Sequence, residues 1–199
     1  MNVLVKNVCF EEVIKGSRFL SELIPCNSQA EARDILKAQK AKYADATHVV
    51  HAFITGPGAE IMGMSDDGEP SGTAGRPVLD VLKGHNCTNC ILTVTRWFGG
   101  TLLGTGGLVK AYSGGAKQVL ETAGKENAFE ELVSKSPFTF ATDYSLYKII
   151  KIQMEQFHLY NTTEDFGTDI KIKGEIRSDE KSAFISKLLD TSNGKIKVE

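Results

Sequence analysis

ILTVTRWFGGTLLGTGG, at residues 91–107, is the stretch that decides the fold. β-Branched residues dominate its first half, and apolar side chains on both faces indicate a buried, central strand. This strand runs directly into a loop rich in glycine. Apolar residues then recur at helical spacing up to Gly124, which is a natural helix stop, so the loop opens a helix.

Towards the N-terminus, strands and short helices alternate. Ser28 and Glu31 have the spacing of a capping box, and apolar residues at helical intervals follow them. Gly-Pro-Gly at 56–58 is a strong turn between two strand patterns, and Pro77 suits a first helical turn. The predicted elements are a strand pair within 9–24, a helix at 28–43, a hairpin of strands 47–55 and 60–64, and a helix at 77–83.

The C-terminal third has a different pattern, with elements in the order βαββαβ, a ferredoxin-like split unit. Residues 126–136 are charged and carry no strong core signal, so they are interpreted as a linker. The prediction is an α+β protein with domains at 1–125 and 137–199. The second domain has predicted strands at 138–142, 158–163, 170–176 and 195–198, and helices at 145–157 and 179–189.

Composition and charge limit the classes of function. With 199 residues, 41% hydrophobic and 24% charged, the chain suits one large or two small globular domains. It contains neither an apolar run of about 18 residues nor a signal-peptide pattern, so we expect a cytoplasmic protein without a membrane partner. The net charge of -2 means that any site for a polyanion must be a local basic cluster.

The cysteines are expected to be reduced thiols in that compartment. Only Cys87 and Cys90 form a suggestive pair, and a structural zinc site needs four ligands where only His85 stands nearby. We interpret the pair as a turn leading into a strand, with zinc or redox chemistry as the less favoured alternative. No metal and no cofactor are predicted.

The glycine-rich loop has the chemistry of an anion site, because a strand, a glycine loop and a helix start present backbone N–H groups and a positive dipole end. Neither standard nucleotide fingerprint fits, and the alternative is that the glycines supply positive φ or close packing. The candidates for phosphate or nucleic-acid binding are Arg76, Arg96, Gly99, Gly100, Gly104, Gly106, Gly107 and Lys110.

A second loop, at 66–75, mixes carboxylates, hydroxyls and glycines. Its carboxylates could act as a base or a magnesium ligand, but loops and helix caps use the same residue types, and no histidine stands within the loop to form a triad with Ser71. His48 and His51 point to opposite faces of their predicted strand, so they are no metal pair. The catalytic candidates, without an assignment, are Asp66, Asp67, Glu69 and His48.

Four passages together resemble the YigZ/Impact family. They are Ser17-Arg18-Phe19, Asp45-Ala46-Thr47-His48, the loop at 65–75 and the segment 96–112. Their order and spacing are specific, and the resemblance covers residues 1–125, with the remainder matching through its position and its split βαβ pattern. By matching position, the family-typical residues are His48, Asp66, Asp67, Glu69, Pro70, Ser71, Gly72, Thr73, Gly75, Arg96, Gly99, Gly100, Gly104, Gly106, Gly107 and Lys110.

The resemblance implies a fold before it implies a function. The first domain would be similar to domain IV of elongation factor G, a ribosomal-protein-like βαβ fold, and the second to that factor's ferredoxin-like domain V. The family's eukaryotic relative acts on translational control through a protein partner.

Three hypotheses for function follow. The first is a translation-associated regulatory protein that binds RNA or the ribosome, with Trp97 and Phe98 either stacking on bases or filling a core. The second is an enzyme acting on a phosphorylated small molecule or a nucleotide. The third is a regulator that docks onto a protein of the translation machinery without RNA. In the first, the two glycine-containing loops share one functional surface.

Overall fold

The computed structural model describes residues 1–198, which form two compact units, Met1–Leu132 and the chain from Val133 onwards. Strands and helices are mixed in both units, which confirms the α+β class. The first unit consists of β1 (Asn2–Leu4), β2 (Val8–Ile14), β3 (Ser17–Pro25), α1 (Gln29–Lys42), β4 (His48–Thr55), β5 (Ile61–Ser65), α2 (Gly75–Gly84), β6 (Cys87–Thr88), β7 (Cys90–Trp97), α3 (Thr105–Lys125) and β8 (Phe129–Glu131).

The main sheet of the first unit has five antiparallel strands in the order β2-β3-β7-β4-β5. β7 lies at its centre between β3 and β4, which confirms the prediction made from its apolar faces. Because successive side chains alternate, Leu92 and Val94 join the larger core beneath α2 and α3, whereas Ile91 packs towards α1. The two loops with candidate site residues follow β5 and β7 of this sheet.

A small second sheet in this unit corrects the predicted linker. Its order is β6-β1-β8, and β8 pairs with β1 in antiparallel register. Phe129 packs against the core and lies 5.0 Å from the His85 ring. The acidic residues beside Phe129 obscured this strand, because only one of its side chains is apolar. The segment 126–136 therefore contains the end of the first unit and, from Lys135, the start of the second unit's first strand.

The second unit is a three-stranded antiparallel sheet with two helices. The elements are β9 (Lys135–Thr142), α4 (Tyr144–Met154), β10 (Leu159–Phe166), β11 (Ile170–Arg177) and α5 (Lys181–Thr191), and the strand order is β10-β11-β9. Both helices contribute to one core with the sheet, through side chains such as Ile150 of α4 and Phe184 of α5.

The predicted final strand at 195–198 is wrong. These residues follow α5 without strand structure. The backbone N–H of Ile196 donates to Ser192 Oγ at 3.0 Å, and the Ile196 side chain is buried. The apolar alternation therefore reflects packing against the end of α5 rather than ladder pairing. Glu199, the last residue of the predicted domain, lies outside the described residues.

The cysteine pair lies where the turn was predicted. Cys87 and Cys90 are buried, their sulfur atoms are 3.9 Å apart, and Asn89 between them has a left-handed φ of 54°. The hydrogen bond between the thiols lowers the pKa of Cys87 and raises that of Cys90, which burial raises further. Within residues 1–198 no group of three or more His, Cys, Asp or Glu side chains is arranged to hold a metal ion. Over the same residues, no helix has both the length and the apolarity to cross a bilayer.

Candidate functional site

Two loops, one after the edge strand β5 and one after the central strand β7, line one cavity. The first, the acidic loop, comprises residues 66–74 between β5 and α2, and the second, the glycine loop, comprises residues 98–104 between β7 and α3. The cavity has a volume of about 490 Å³. The residues that line it are Thr47, His48, Gly68, Glu69, Pro70, Arg96, Phe98, Leu102, Leu103, Gly104, Thr105 and Leu108.

A buried ion pair ties the two loops together. Arg96 Nη1 donates to Glu69 Oε1 at 2.6 Å, and the side chains are only 6% and 3% exposed. Tyr112 OH donates to the same carboxylate oxygen at 2.7 Å. Burial, and then this bond to Glu69, raise the pKa of Tyr112 far above its ordinary value. Glu69 is therefore held by two donors at the floor of the cavity.

The rest of the Arg96 guanidinium supports the glycine loop. Nη2 lies 3.4 Å from Ser17 Oγ, which accepts the backbone N–H of Gly99 at 3.2 Å. Of the guanidinium nitrogens, Nε is buried and has no hydrogen-bond partner within residues 1–198. Arg96 is thus an internal brace, and this burial does not favour the direct phosphate contact expected from the sequence.

Asp66 closes the start of α2. Its carboxylate accepts the backbone N–H groups of Gly72 at 2.8 Å, Ala74 at 3.1 Å and Gly75 at 2.8 Å. Burial opposes ionisation, but these three donors outweigh it and lower the pKa of Asp66 below its ordinary value. The anion site that a helix start offers is occupied here by the chain's own carboxylate.

Asp67 orients His48. With a left-handed φ of 45°, Asp67 accepts Val49 N–H at 2.7 Å through its carboxylate and forms an ion pair with Lys40 of α1. Its carbonyl lies 2.8 Å from His48 Nδ1. Because a carbonyl can only accept, Nδ1 carries the proton and Nε2 is the free ring nitrogen of neutral His48. Nε2 lies 3.9 Å from Glu69 Oε1.

The four catalytic candidates are therefore unequal. The carboxylates of Asp66, Asp67 and Glu69 all have structural partners, whereas His48 retains an uncommitted nitrogen beside the cavity. Of these candidates, His48 is the one whose reactive atom is not already used to hold the fold.

The glycine loop ends differently from the acidic loop. Gly104, with φ of 74°, is the N-cap of α3, and no side chain caps the helix from this position. Gly104 and Thr105 line the cavity, and the helix behind them is 21 residues long. The first N–H groups of a helix have no intrahelical partner. The start of α3 therefore presents uncapped donors and the positive end of its dipole to the cavity.

The glycines of the glycine loop and of the first turn of α3 differ in what surrounds them. A Cβ on Gly99 would lie 1.9 Å from the carbonyl carbon of Gly16, so Gly99 is needed for close backbone packing. A Cβ on Gly100, Gly104 or Gly106 would meet no atom within 4 Å. Close packing thus accounts for Gly99 and a positive φ for Gly100 and Gly104, and open space remains above these two and Gly106.

The basic candidates are separated in space. Lys110 is exposed, its side chain has no ion pair within residues 1–198, and it follows Gly106 by one helical turn on the same face. Arg76 instead pairs with Asp80 at 2.9 Å and lines a different groove, between α2 and α3. The structure brings Lys110, but not Arg76, together with the start of α3.

The two adjacent aromatic residues differ in whether a ligand can reach them. Trp97 Nε1 donates to Asp45 at 2.9 Å, and the Arg18 guanidinium lies 4.1 Å from the indole ring, so Trp97 is engaged within the fold. Phe98 is 47% exposed and stands at the cavity. Only Phe98 of this pair is available to a ligand there.

Sequence reasoning missed three residues that hold the site in place. They are Ser17, Lys40 and Tyr112, which contact Gly99, Asp67 and Glu69 respectively. The hydroxyl of Tyr112, on the apolar stripe of α3, is a weak signal, since a buried tyrosine usually finds a partner for its O–H. Ser17 and Lys40 carry no such signal, because their partners are far away in the sequence.

Comparison with known proteins gives consistent matches over nearly the whole chain. The family model described as Impact N-terminal domain matches residues 15–120. An IMPACT family member of Haemophilus influenzae is 33% identical over 194 residues, which is 96% of this chain and 92% of the relative. IMPACT family member YigZ of Escherichia coli is 31% identical over 189 residues, 94% of this chain and 91% of the relative.

Solved structures extend the comparison. One, described as the crystal structure of an hypothetical protein, aligns with 99% of this chain and 95% of its own at 30% identity and a TM-score of 0.68. The two-domain translational regulator Yih1 aligns with 61% of this chain and 46% of its own, at 25% identity and a TM-score of 0.35. The second agreement is too poor to support an argument.

Proposed function

Since the chain belongs to the Impact family, we propose that it is a translation-associated regulatory protein that binds RNA, either free or within the ribosome. Phosphate groups would be held at the start of α3. The first unit would correspond to domain IV of elongation factor G and the second to its ferredoxin-like domain V. These correspondences rest on fold analogy, which supports a shared kind of surface rather than a shared reaction.

The observation that carries the proposal is the uncapped start of α3. Backbone N–H groups and a helix dipole favour an anion, and a carboxylate at this end would compete with one. At α2 the chain supplies that carboxylate through Asp66, whereas at α3 no side chain caps the helix from Gly104. Open space above Gly104 and Gly106 leaves room for a phosphate to approach the backbone.

Lys110 adds the local positive charge that the whole molecule lacks. The net charge of -2 gives no general attraction for a polyanion. A lysine on the same helix face as Gly106 could contact a phosphate held at the helix start or the next one along a strand. Few phosphates would be neutralised, so the dependence of affinity on salt should be shallow but measurable.

The second unit supports the comparison with the ferredoxin-like domain. β11 lies between β10 and β9, and α4 and α5 share the core on one face of the sheet. Five elements of the split βαββαβ unit therefore occur in the expected order. The sixth would lie where residues 195–198 run along the end of α5.

The test is the affinity for a fluorescently labelled RNA, measured by anisotropy over a range of salt concentrations. Gly106→Ala should weaken binding about tenfold, because a methyl group obstructs charge-assisted bonds worth about 1.5–3 kcal/mol. Lys110→Gln should weaken it and reduce the salt slope by about one phosphate contact. Gly114→Ala, in the middle of the same helix and also in open space, is the matched control.

Equal affinities for wild type, Gly106→Ala and Lys110→Gln would contradict RNA binding at this site. Affinity purification with and without nuclease adds a second readout. Partners that are lost after nuclease treatment support the RNA proposal. Protein partners that resist nuclease and are retained by Gly106→Ala would instead favour the protein-docking regulator.

His48 favours a second candidate function, an enzyme that acts on a nucleotide or another phosphorylated small molecule. Its free Nε2 lies beside a cavity of about 490 Å³, a size that suits a small-molecule site. A neutral imidazole of this kind can act as a general base. Phosphate release from nucleotides that is present in wild type and lost in His48→Gln would support this candidate, whereas equal turnover in both proteins would count against it.

A further inference from the structure

Phe98 is an exposed aromatic ring on a fixed backbone. Its backbone N–H donates to Thr47 Oγ1 at 3.0 Å, and the neighbouring Gly99 is packed against Gly16. The Arg96 guanidinium lies 5.6 Å from the Phe98 ring, so the ring has a positively charged neighbour. A ring that is 47% exposed on a backbone held in this way forms a surface on which a flat ligand could stack.

Three other apolar side chains of the cavity come from the glycine loop and α3, and Pro70 comes from the acidic loop. Leu102 is 82% exposed, and Leu103 and Leu108 line the cavity more deeply. A cluster of apolar side chains around a concave site, with Phe98 and Leu102 exposed, is characteristic of ligand binding. The site therefore offers an apolar region next to the uncapped helix start.

Two polar side chains, Arg96 and His48, line the cavity beside this apolar region. Arg96 Nε is a buried donor without a partner within residues 1–198, on a side chain that is only 6% exposed. His48 Nε2 is an acceptor when the ring is neutral. A ligand that fits has a flat face with hydrogen-bonding edges and an attached anion. That is the chemistry of a nucleotide.

We propose that the cavity takes one unpaired nucleotide of RNA, with its base stacked on Phe98 and its phosphate at the start of α3. This inference rests on the RNA binding proposed above and adds a requirement for an unpaired base. In a duplex, both faces of a base are covered by its neighbours, so no face is left for Phe98. Aromatic stacking of single-stranded bases contributes about 1–3 kcal/mol per base and tolerates any base.

The test compares three labelled RNAs of equal length by anisotropy: a single strand, a perfect duplex, and a single strand with abasic sites. Wild type should bind the single strand about tenfold more tightly than either of the others. Phe98→Leu should lose most of that preference, while Phe98→Tyr should keep it. Phe166→Leu, at an exposed phenylalanine of the second unit, is the control and should behave as wild type.

Competition with a nucleoside monophosphate and with ribose 5-phosphate tests whether the cavity recognises the base. Displacement of the single strand by the nucleotide but not by the sugar phosphate supports a base-binding cavity. If RNA binding falls in Gly106→Ala but is the same for single strand, duplex and abasic RNA, the unpaired-base inference is wrong and the RNA proposal stands. If no RNA binds at all, both fail.

Discussion

The acidic loop and the glycine loop both contain glycines and both lead into helices that pack against each other, yet the starts of these two helices differ. At the acidic loop, Asp66 accepts three backbone N–H groups and occupies the start of α2. At the glycine loop, no side chain caps the start of α3 from Gly104. The first loop supplies its own anion, and the second leaves a place for one.

This difference shows that a glycine-containing loop before a helix is not in itself an anion site. What matters is whether the donors are already satisfied, because a helix start has a limited number of free N–H groups. A carboxylate inside the loop satisfies them and stabilises the fold. Substitutions in either loop, followed by measurements of stability and RNA affinity, can test this difference.

The largest effect is expected where the loops are joined. Glu69→Ala should lower the free energy of unfolding by about 3–5 kcal/mol, because it leaves the buried Arg96 guanidinium without its counter-charge. Tyr112→Phe removes one donor to Glu69 and should cost only about 1 kcal/mol. Urea unfolding measures both, and equal small losses would contradict the central role of the ion pair.

The next largest effect on stability should separate a glycine that is packed against backbone from one that lies in open space. Gly99→Ala should destabilise by about 3 kcal/mol, because its Cβ would press on the Gly16 backbone. Gly106→Ala should leave stability unchanged or raise it slightly, since alanine favours a helix. Thermal unfolding of the two variants distinguishes packing glycines from open ones. A similar loss of stability in both variants would show that Gly106 is packed as tightly as Gly99.

Asp66→Asn tests whether the charged carboxylate at the start of α2 stabilises the fold, and its effect should depend on pH. It should cost about 2 kcal/mol at neutral pH, because the charged cap is lost. The folded pKa of Asp66 lies below the ordinary value of 3.8, so its stabilisation is present above that value and is lost as pH falls through the lowered pKa. The difference between wild type and Asp66→Asn in urea unfolding should therefore shrink on acidification. A constant difference would contradict the role assigned to the charge.

The smallest change in stability should come from adding a carboxylate at the start of α3. Thr105→Asp places a carboxylate in the first turn of α3 and should stabilise the protein by about 0.5 kcal/mol. The same carboxylate should repel phosphate and abolish RNA binding in the anisotropy assay. Thr105→Asn, neutral and of the same shape, controls for the side chain itself. Unchanged RNA affinity in Thr105→Asp would place the binding surface elsewhere.

Much of the fold could be predicted from local pattern. The apolar faces of Ile91–Trp97 predicted a central strand, and the capping box at Ser28 predicted α1, whose N-cap Ser28 accepts Glu31 N–H. The errors came where the pattern was too short to be read. A strand with one apolar residue, Phe129, was interpreted as linker, and the packing of Ile196 against α5 was interpreted as a strand.

The sequence by itself determined the elements that carry the site. Strand and helix periodicity, together with glycine and capping residues, are local properties, so the segments 66–75 and 96–110 could be recognised as containing loops that lead into helices. Only the tertiary structure decided what the side chains do there. Glu69 meets Arg96 across 27 positions of chain, and Ser17 meets Gly99 across 82. Each carboxylate can satisfy only the donors that folding brings within reach. Packing therefore decided which helix start has N–H groups without a carboxylate partner.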